Sequence, residues 1–172
     1  MKLKELTVLA LLTFATSALF AQSTADSDDL TKSGNKKDSL KNFQGAIDDF
    51  NAALKLDPEN VNALYYRGYV YYELKKYPEA IKDFDKAITL DSLDVESFFN
   101  RANAKFELKD YKGAIADYKS ALTLDPKDRE CYYNKAIAEY SVGNLEDVCH
   151  DLEQAAKFGD TMAAEVIKQL CK

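Results

Sequence analysis

The sequence predicts an all-α protein built as an array of stacked helical hairpins. Three observations carry that expectation: a composition poor in helix breakers, a repeat of 34 residues without gaps, and helical spacing of apolar residues inside the copies. Glycine (6) and proline (3) are scarce among 172 residues. Leu, Ala and Lys are plentiful, a mix that favours helices over a turn-rich β fold. Apolar residues make up 47 % of the chain, enough for a sizeable core.

The first element is an export signal. Lys2 and Lys4 form a positive end, Leu6 to Phe20 is a mostly apolar run, and Ala18 and Ala21 are small enough for a cleavage site. That layout is a secretory signal peptide over residues 1–21, and the run is short for a membrane span of about 20 residues. Cleavage is expected after Ala21, with Ala18 as the other possibility, and no cysteine follows that could carry a lipid anchor. The expected product is periplasmic or secreted, with no stable membrane anchor, and its net charge moves from −6 to −7. Residues 22–26 read as a short linker.

The repeat comes next. Residues 27–60, 61–94 and 95–128 align without gaps, and 129–160 follows with more drift. Small residues recur at Gly34, Gly68, Ala102 and Ala136, alanine at Ala46, Ala80 and Ala114, and an aromatic at Phe50, Phe84 and Tyr118. The fourth copy replaces the last two with Val148 and Leu152. Small side chains let two helices approach, and the aromatic fills the space beside them. Pro58 and Pro126 stop second helices, because proline has no N–H to donate. Asn60, Asp94 and Asp128 then stand where the next helix needs an N-cap. A single hairpin of this kind cannot bury its apolar face alone, so the copies must stack. Residues 161–171 form a last amphipathic helix with Met162, Val166, Ile167 and Leu170 as its stripe.

This pattern resembles the tetratricopeptide repeat family over residues 27–160. The resemblance implies a right-handed superhelical α-solenoid of about four hairpins, closed by a C-terminal capping helix at 161–172. The second and third copies match best. The first has Ser33 and Lys37 where apolar or aromatic residues are usual, as an end unit with one solvated face would.

The stretch Tyr65–Tyr72 holds five of the eleven tyrosines. At about 100° per residue, Tyr65, Tyr69 and Tyr72 share one helix face. Leu64, Gly68 and Tyr71 share another, which carries the small residue and is therefore packed core. Tyr66 falls at a helix–helix seam. The stripe continues at Phe99, Asn103 and Phe106, then at Tyr133, Ile137 and Tyr140, while the first copy offers the polar Thr31, Asn35 and Asp38. By the resemblance, these positions line the concave groove where partners bind. Rigid aromatics suit recognition, although in a short array the same rings could pack on one another. Glu73, Glu96, Glu107 and Glu130 border the stripe and favour a protein or peptide with basic and apolar residues. Some members of the family clamp a C-terminal carboxylate with lysines on this face. Here Thr31, Tyr65, Glu96 and Glu130 occupy those places, so the clamp is absent, although Asn35, Asn100 and Asn134 remain.

Other chemistries are not expected. No basic cluster serves nucleic acid. No phosphate loop, nucleophile elbow or paired-His metal motif occurs, so neither cofactor, metal nor catalytic residue is implied. His150 stands alone, and recurrent acidic pairs such as Asp48–Asp49 read as solvated faces. The expected function is a non-enzymatic exported adaptor binding a protein segment. The alternative is a structural subunit of an envelope or secretion complex whose aromatic face is permanently buried by oligomerisation. Partner identity and oligomeric state stay open.

The cysteines complete the reading. Export places them in an oxidising compartment. Gly159–Asp160 is the turn between the last two helices, and Cys149 and Cys171 lie eleven residues to either side of Asp160. Antiparallel packing sets them level, within reach of a disulfide. Cys131 is the odd thiol, either free or linking two chains. All three stay unpaired if the chain is not exported.

Overall fold

The computed structural model describes the backbone of residues 3–171 and the side chains of residues 21–171. The expected signal peptide therefore lies, but for Ala21, outside the described side chains. Among the described residues there are nine α-helices and no strand: α1 Leu3–Ser39, α2 Phe43–Leu56, α3 Val61–Glu73, α4 Tyr77–Leu90, α5 Val95–Glu107, α6 Tyr111–Leu124, α7 Arg129–Ser141, α8 Leu145–Lys157 and α9 Thr161–Leu170. The chain divides into two compact units, Met1–Val70 and Tyr71–Lys172.

In the first unit α1 and α2 form a hairpin. Lys41 closes the turn at φ 60°, and the N–H of Asn42 bonds back to the Lys37 carbonyl at 2.9 Å. That left-handed corner usually takes glycine. Asn42 then caps α2, accepting from the Gly45 N–H at 3.1 Å. Ala46, Ile47, Phe50 and Ala53 are the buried face of α2. Phe50 explains Gly34: a Cβ added there would come within 2.5 Å of the ring. Residues 22–26 are helical rather than a linker. Ser23 Oγ donates to the Leu56 carbonyl at 2.9 Å, and Ser27 Oγ to that of Ala53 at 3.0 Å, so the end of α2 holds the turn of α1 that carries Ser23 and Ser27. Asn60 caps α3 by accepting from the Ala63 N–H at 2.9 Å. Leu64, Gly68 and Val70 are buried in α3, and Tyr71, expected as core, is only half-buried. Its ring instead faces the Lys76 ammonium, 5.9 Å from the ring centre, at the α3–α4 corner.

The second unit repeats the hairpin. Lys75 and Lys109 adopt φ 59° and 64° at the corners where the α7–α8 hairpin has Gly143 at φ 80°. Asp94, Asp110, Asp128 and Asp160 cap α5, α6, α7 and α9 with their side chains. One buried cluster centres on Ala102, Ala114, Tyr118, Ala121, Cys131 and Ala138. The next centres on Ala136, Val148, Leu152, Ala155 and Ala163. Ala163 is the buried residue of α9, with Val166 and Ile167 packed beside it. Met162 and Leu170, expected in that stripe, are 61 % and 37 % exposed. Cys149 and Cys171 are joined by a disulfide with Cα atoms 5.7 Å apart, and Cys131 is a buried free thiol.

A polar seam runs with the repeat. The acid that recurs at the Asp49 position of each repeat is drawn inward rather than solvated: Asp83, Asp117 and Asp151 are buried and Asp49 is half-buried. Ser33 Oγ donates to Asp49 at 2.7 Å and Lys37 pairs with it at 2.7 Å. These two residues thus serve a carboxylate, with Ser33 exposed and Lys37 half-buried. Asp117 is forked by Arg101, through Nε at 2.8 Å and Nη2 at 2.6 Å, and paired with Lys105 at 2.8 Å.

Candidate functional site

The second unit has a concavity of about 480 Å³ formed by the end of α3 with α5, α6 and α7. Tyr72, Phe106, Tyr133 and Ile137 give it an aromatic and aliphatic lining, Asn103 and Asn134 its amides, and Glu107 and Glu130 its charges. Helical spacing places them there. Asn103 and Phe106 are three apart on α5, and Glu130, Tyr133, Asn134 and Ile137 repeat at three and four on α7. The rings are held by packing on their own hairpins: Tyr72 lies 5.6 Å from Tyr77 and Phe106 5.2 Å from Tyr111, centre to centre. Tyr118, which sequence reasoning assigned only to packing, forms the floor. Its hydroxyl donates to Asn103 Oδ1 at 2.5 Å, and Asn134 Nδ2 approaches the same oxygen at 3.5 Å. Burial, more than its acidic neighbours, holds the Tyr118 phenol far above its usual range, so it acts as a neutral donor.

Every charged residue lining this concavity is an acid. Tyr77 Oη donates to Glu107 Oε2 at 3.3 Å. Glu96 does not line the cavity. It is raised above the ordinary carboxylate range first by burial, then by Asp128, Asp94 and Glu130. That upward pull reports a negative field around the starts of α5 and α7. Glu73, the other expected rim residue, is exposed at the end of α3 and also lies outside the lining.

The remaining stripe residues are distributed differently. Phe99 is packed into the hydrophobic cluster, 5.9 Å from Tyr118, because its turn of α5 faces α6. Ile137 is shared with a second hollow of about 260 Å³, lined by Tyr140, Val148, Leu152, Val166 and Leu170. Tyr140 is 54 % exposed. In the first unit, Tyr65 and Tyr69 line a separate hollow of about 500 Å³ with Asn35, Asp38 and Tyr66. Tyr66 occupies the seam, its ring 6.3 Å from Phe50 and 5.1 Å from Tyr65. The aromatic at position 66 was readable only as a boundary residue, since its helical angle falls between the two faces.

Among the described residues, no group of three His, Cys, Asp or Glu side chains is arranged to hold a metal ion.

Sequence profiles of the tetratricopeptide repeat match residues 34–95 and 95–128. No curated protein is significantly similar in sequence. Among solved structures, MamA is 26 % identical, with a TM-score of 0.71 over 73 % of this chain and 74 % of that one. The first TPR of Spaghetti (RPAP3), bound to the HSP90 peptide SRMEEVD, is 25 % identical, with a TM-score of 0.69 over 70 % of this chain and 95 % of that one. The Arabidopsis OM64 TPR domain is 26 % identical, with a TM-score of 0.67 over 69 % and 98 %.

Proposed function

The chain belongs to the tetratricopeptide repeat family, a family of protein-interaction modules, and from that premise we propose that it is an exported, non-enzymatic adaptor. Its concavity on α5 and α7 takes an extended protein segment bearing basic and apolar residues. The observation that carries this reading is the make-up of the hollow: a ring-rich lining whose only charges are Glu107 and Glu130. An ammonium or guanidinium group entering between them gains from both carboxylates and from the faces of Tyr72, Phe106 and Tyr133. The RPAP3 domain holds a peptide ending in EEVD. An acidic tail of that kind would meet repulsion here, since the family's clamp positions carry Glu96 and Glu130.

Export rests on the N-terminal pattern of Lys2, Lys4 and the apolar run to Phe20, and the Cys149–Cys171 bond fits an oxidising compartment.

The test is direct binding of the mature chain to synthetic peptides that alternate Lys or Arg with aromatic and aliphatic residues. Tyr133→Ala should weaken binding by about 1–3 kcal/mol, as for an interface anchor. Affinity should also fall as salt rises, because exposed pairs are screened over about 8–10 Å. Binding that ignores both Tyr133→Ala and salt would remove the hollow from the account.

A further inference from the structure

The polar seam changes sign in the fourth repeat. The positions of Arg101, Lys105 and Asp117 recur, one repeat later, as Lys135, Glu139 and Asp151. The second cation has become an acid. Lys135 Nζ contacts the Asp151 carboxylate and stands 3.3 Å from Glu139 Oε1. The side chains of Lys135, Glu139 and Asp151 are only 9 %, 1 % and 1 % exposed. Apart from that ion pair, both Glu139 oxygens are buried without a hydrogen-bond partner. One cation thus faces two enclosed acids, whereas in the third repeat Arg101 and Lys105 together face Asp117, with the exposed Asp85 2.6 Å from Arg101.

We infer that the Lys135–Glu139–Asp151 cluster is a proton site that makes the packing of α7 on α8 sensitive to pH near neutrality. A fully ionised cluster would enclose one unbalanced negative charge, and enclosed unpaired charge is strongly disfavoured. A proton on Glu139 removes it and turns an orphaned acceptor into a donor. The surroundings supply no other remedy. On α7 the facing charge is Lys135, and on α8 it is Asp151. On α6, the position equivalent to Asp85 is Lys119, which is exposed. The α5 side meets α7 through the uncharged amides of Asn103 and Asn134.

The electrostatics agree in direction and place. Burial first, then Asp151, push the Glu139 carboxyl up to about 7 against the opposing pull of Lys135, from an ordinary 4.5. The folded chain then keeps a proton that the unfolded chain has released. Stability from this group is complete below the unfolded value, declines as pH rises, and is lost on passing about 7. Tyr133, Ile137 and Tyr140 stand on the same helix, so a consequence for partner binding rests on the reading above. The folding consequence does not.

Urea unfolding of the mature chain and of Glu139→Gln, from about pH 5 to about pH 8, tests the site without any ligand. Gln copies the protonated form. The folding constant of the natural chain, relative to Glu139→Gln, should fall by about 70-fold across that range. A ratio that stays flat overturns the proposal. If Glu139→Gln does not fold, carbon-13 NMR of the natural chain decides. A Glu139 carboxyl titrating near 7 upholds the proton site, and one titrating in the ordinary carboxylate range overturns it.

Discussion

Gly34→Ala should destabilise the chain, against the ordinary preference of helices. In an exposed helix interior that change gains about 1 kcal/mol. Here the new methyl would stand 2.5 Å from Phe50 Cε1 and 2.8 Å from two further ring carbons. Carbon atoms settle at about 3.5–4.0 Å, so the ring must withdraw by roughly 1 Å. It has nowhere to go: Phe50 is fully buried, and Tyr66 is stacked on it at 6.3 Å. Overpacking of this kind costs about 1–3 kcal/mol, which leaves a net loss of about 1 kcal/mol. Urea unfolding of Gly34→Ala, of Phe50→Leu and of the double variant measures the coupling. With the smaller leucine in place, Gly34→Ala should become neutral or stabilising, giving a coupling of about 1–2 kcal/mol. If Gly34→Ala stabilises the natural chain by the full helix preference, the close approach of α1 and α2 is not as described.

Three further outcomes follow from the same structure. Lys109→Gly should raise stability by about 1 kcal/mol in thermal unfolding, because Lys109 sits at φ 64°, a conformation costly to any residue with a Cβ. Asp117→Ala should cost about 3 kcal/mol in urea unfolding, since it removes the buried carboxylate that Arg101 and Lys105 share and leaves Arg101 only the exposed Asp85. Reduction should cost about 3 kcal/mol by the loop-closure estimate. Peptide mapping of unreduced mature protein should recover Cys149 bonded to Cys171 with Cys131 as a free thiol.

The hairpins were legible because their determinants are local and repeated. Asn60, Asp94 and Asp128 each precede a helix by one position and cap it, and the small residues and the aromatic recur at fixed spacing. Periodicity could not tell the two acids of a pair apart. Asp48 and Asp49 differ by about 100° on the helix, enough to leave one in solvent and turn the other toward Ser33 and Lys37. The signal was present in the cation that recurs sixteen residues ahead, at Arg67, Arg101 and Lys135, but a charge pair is read only when both helices are considered together. The stripe was harder still. A helical wheel gives the face on which Phe99, Asn103 and Phe106 lie, but not how far α6 reaches across it. That distance decides why Phe99 sits against Tyr118 while Phe106 lines the hollow. Tyr71 shows the same limit: it shares a face with the buried Leu64 and Gly68, yet in the last turn of α3 it is half-buried.

Selection of peptides from a displayed random library by the mature chain, with the double variant Tyr133→Ala, Ile137→Asp as counter-selection, tests the central claim most directly. The account predicts enriched sequences that carry Lys or Arg beside aromatic or aliphatic residues and that the variant fails to retain. Enrichment of acidic tails, or equal retention by the variant, would contradict it.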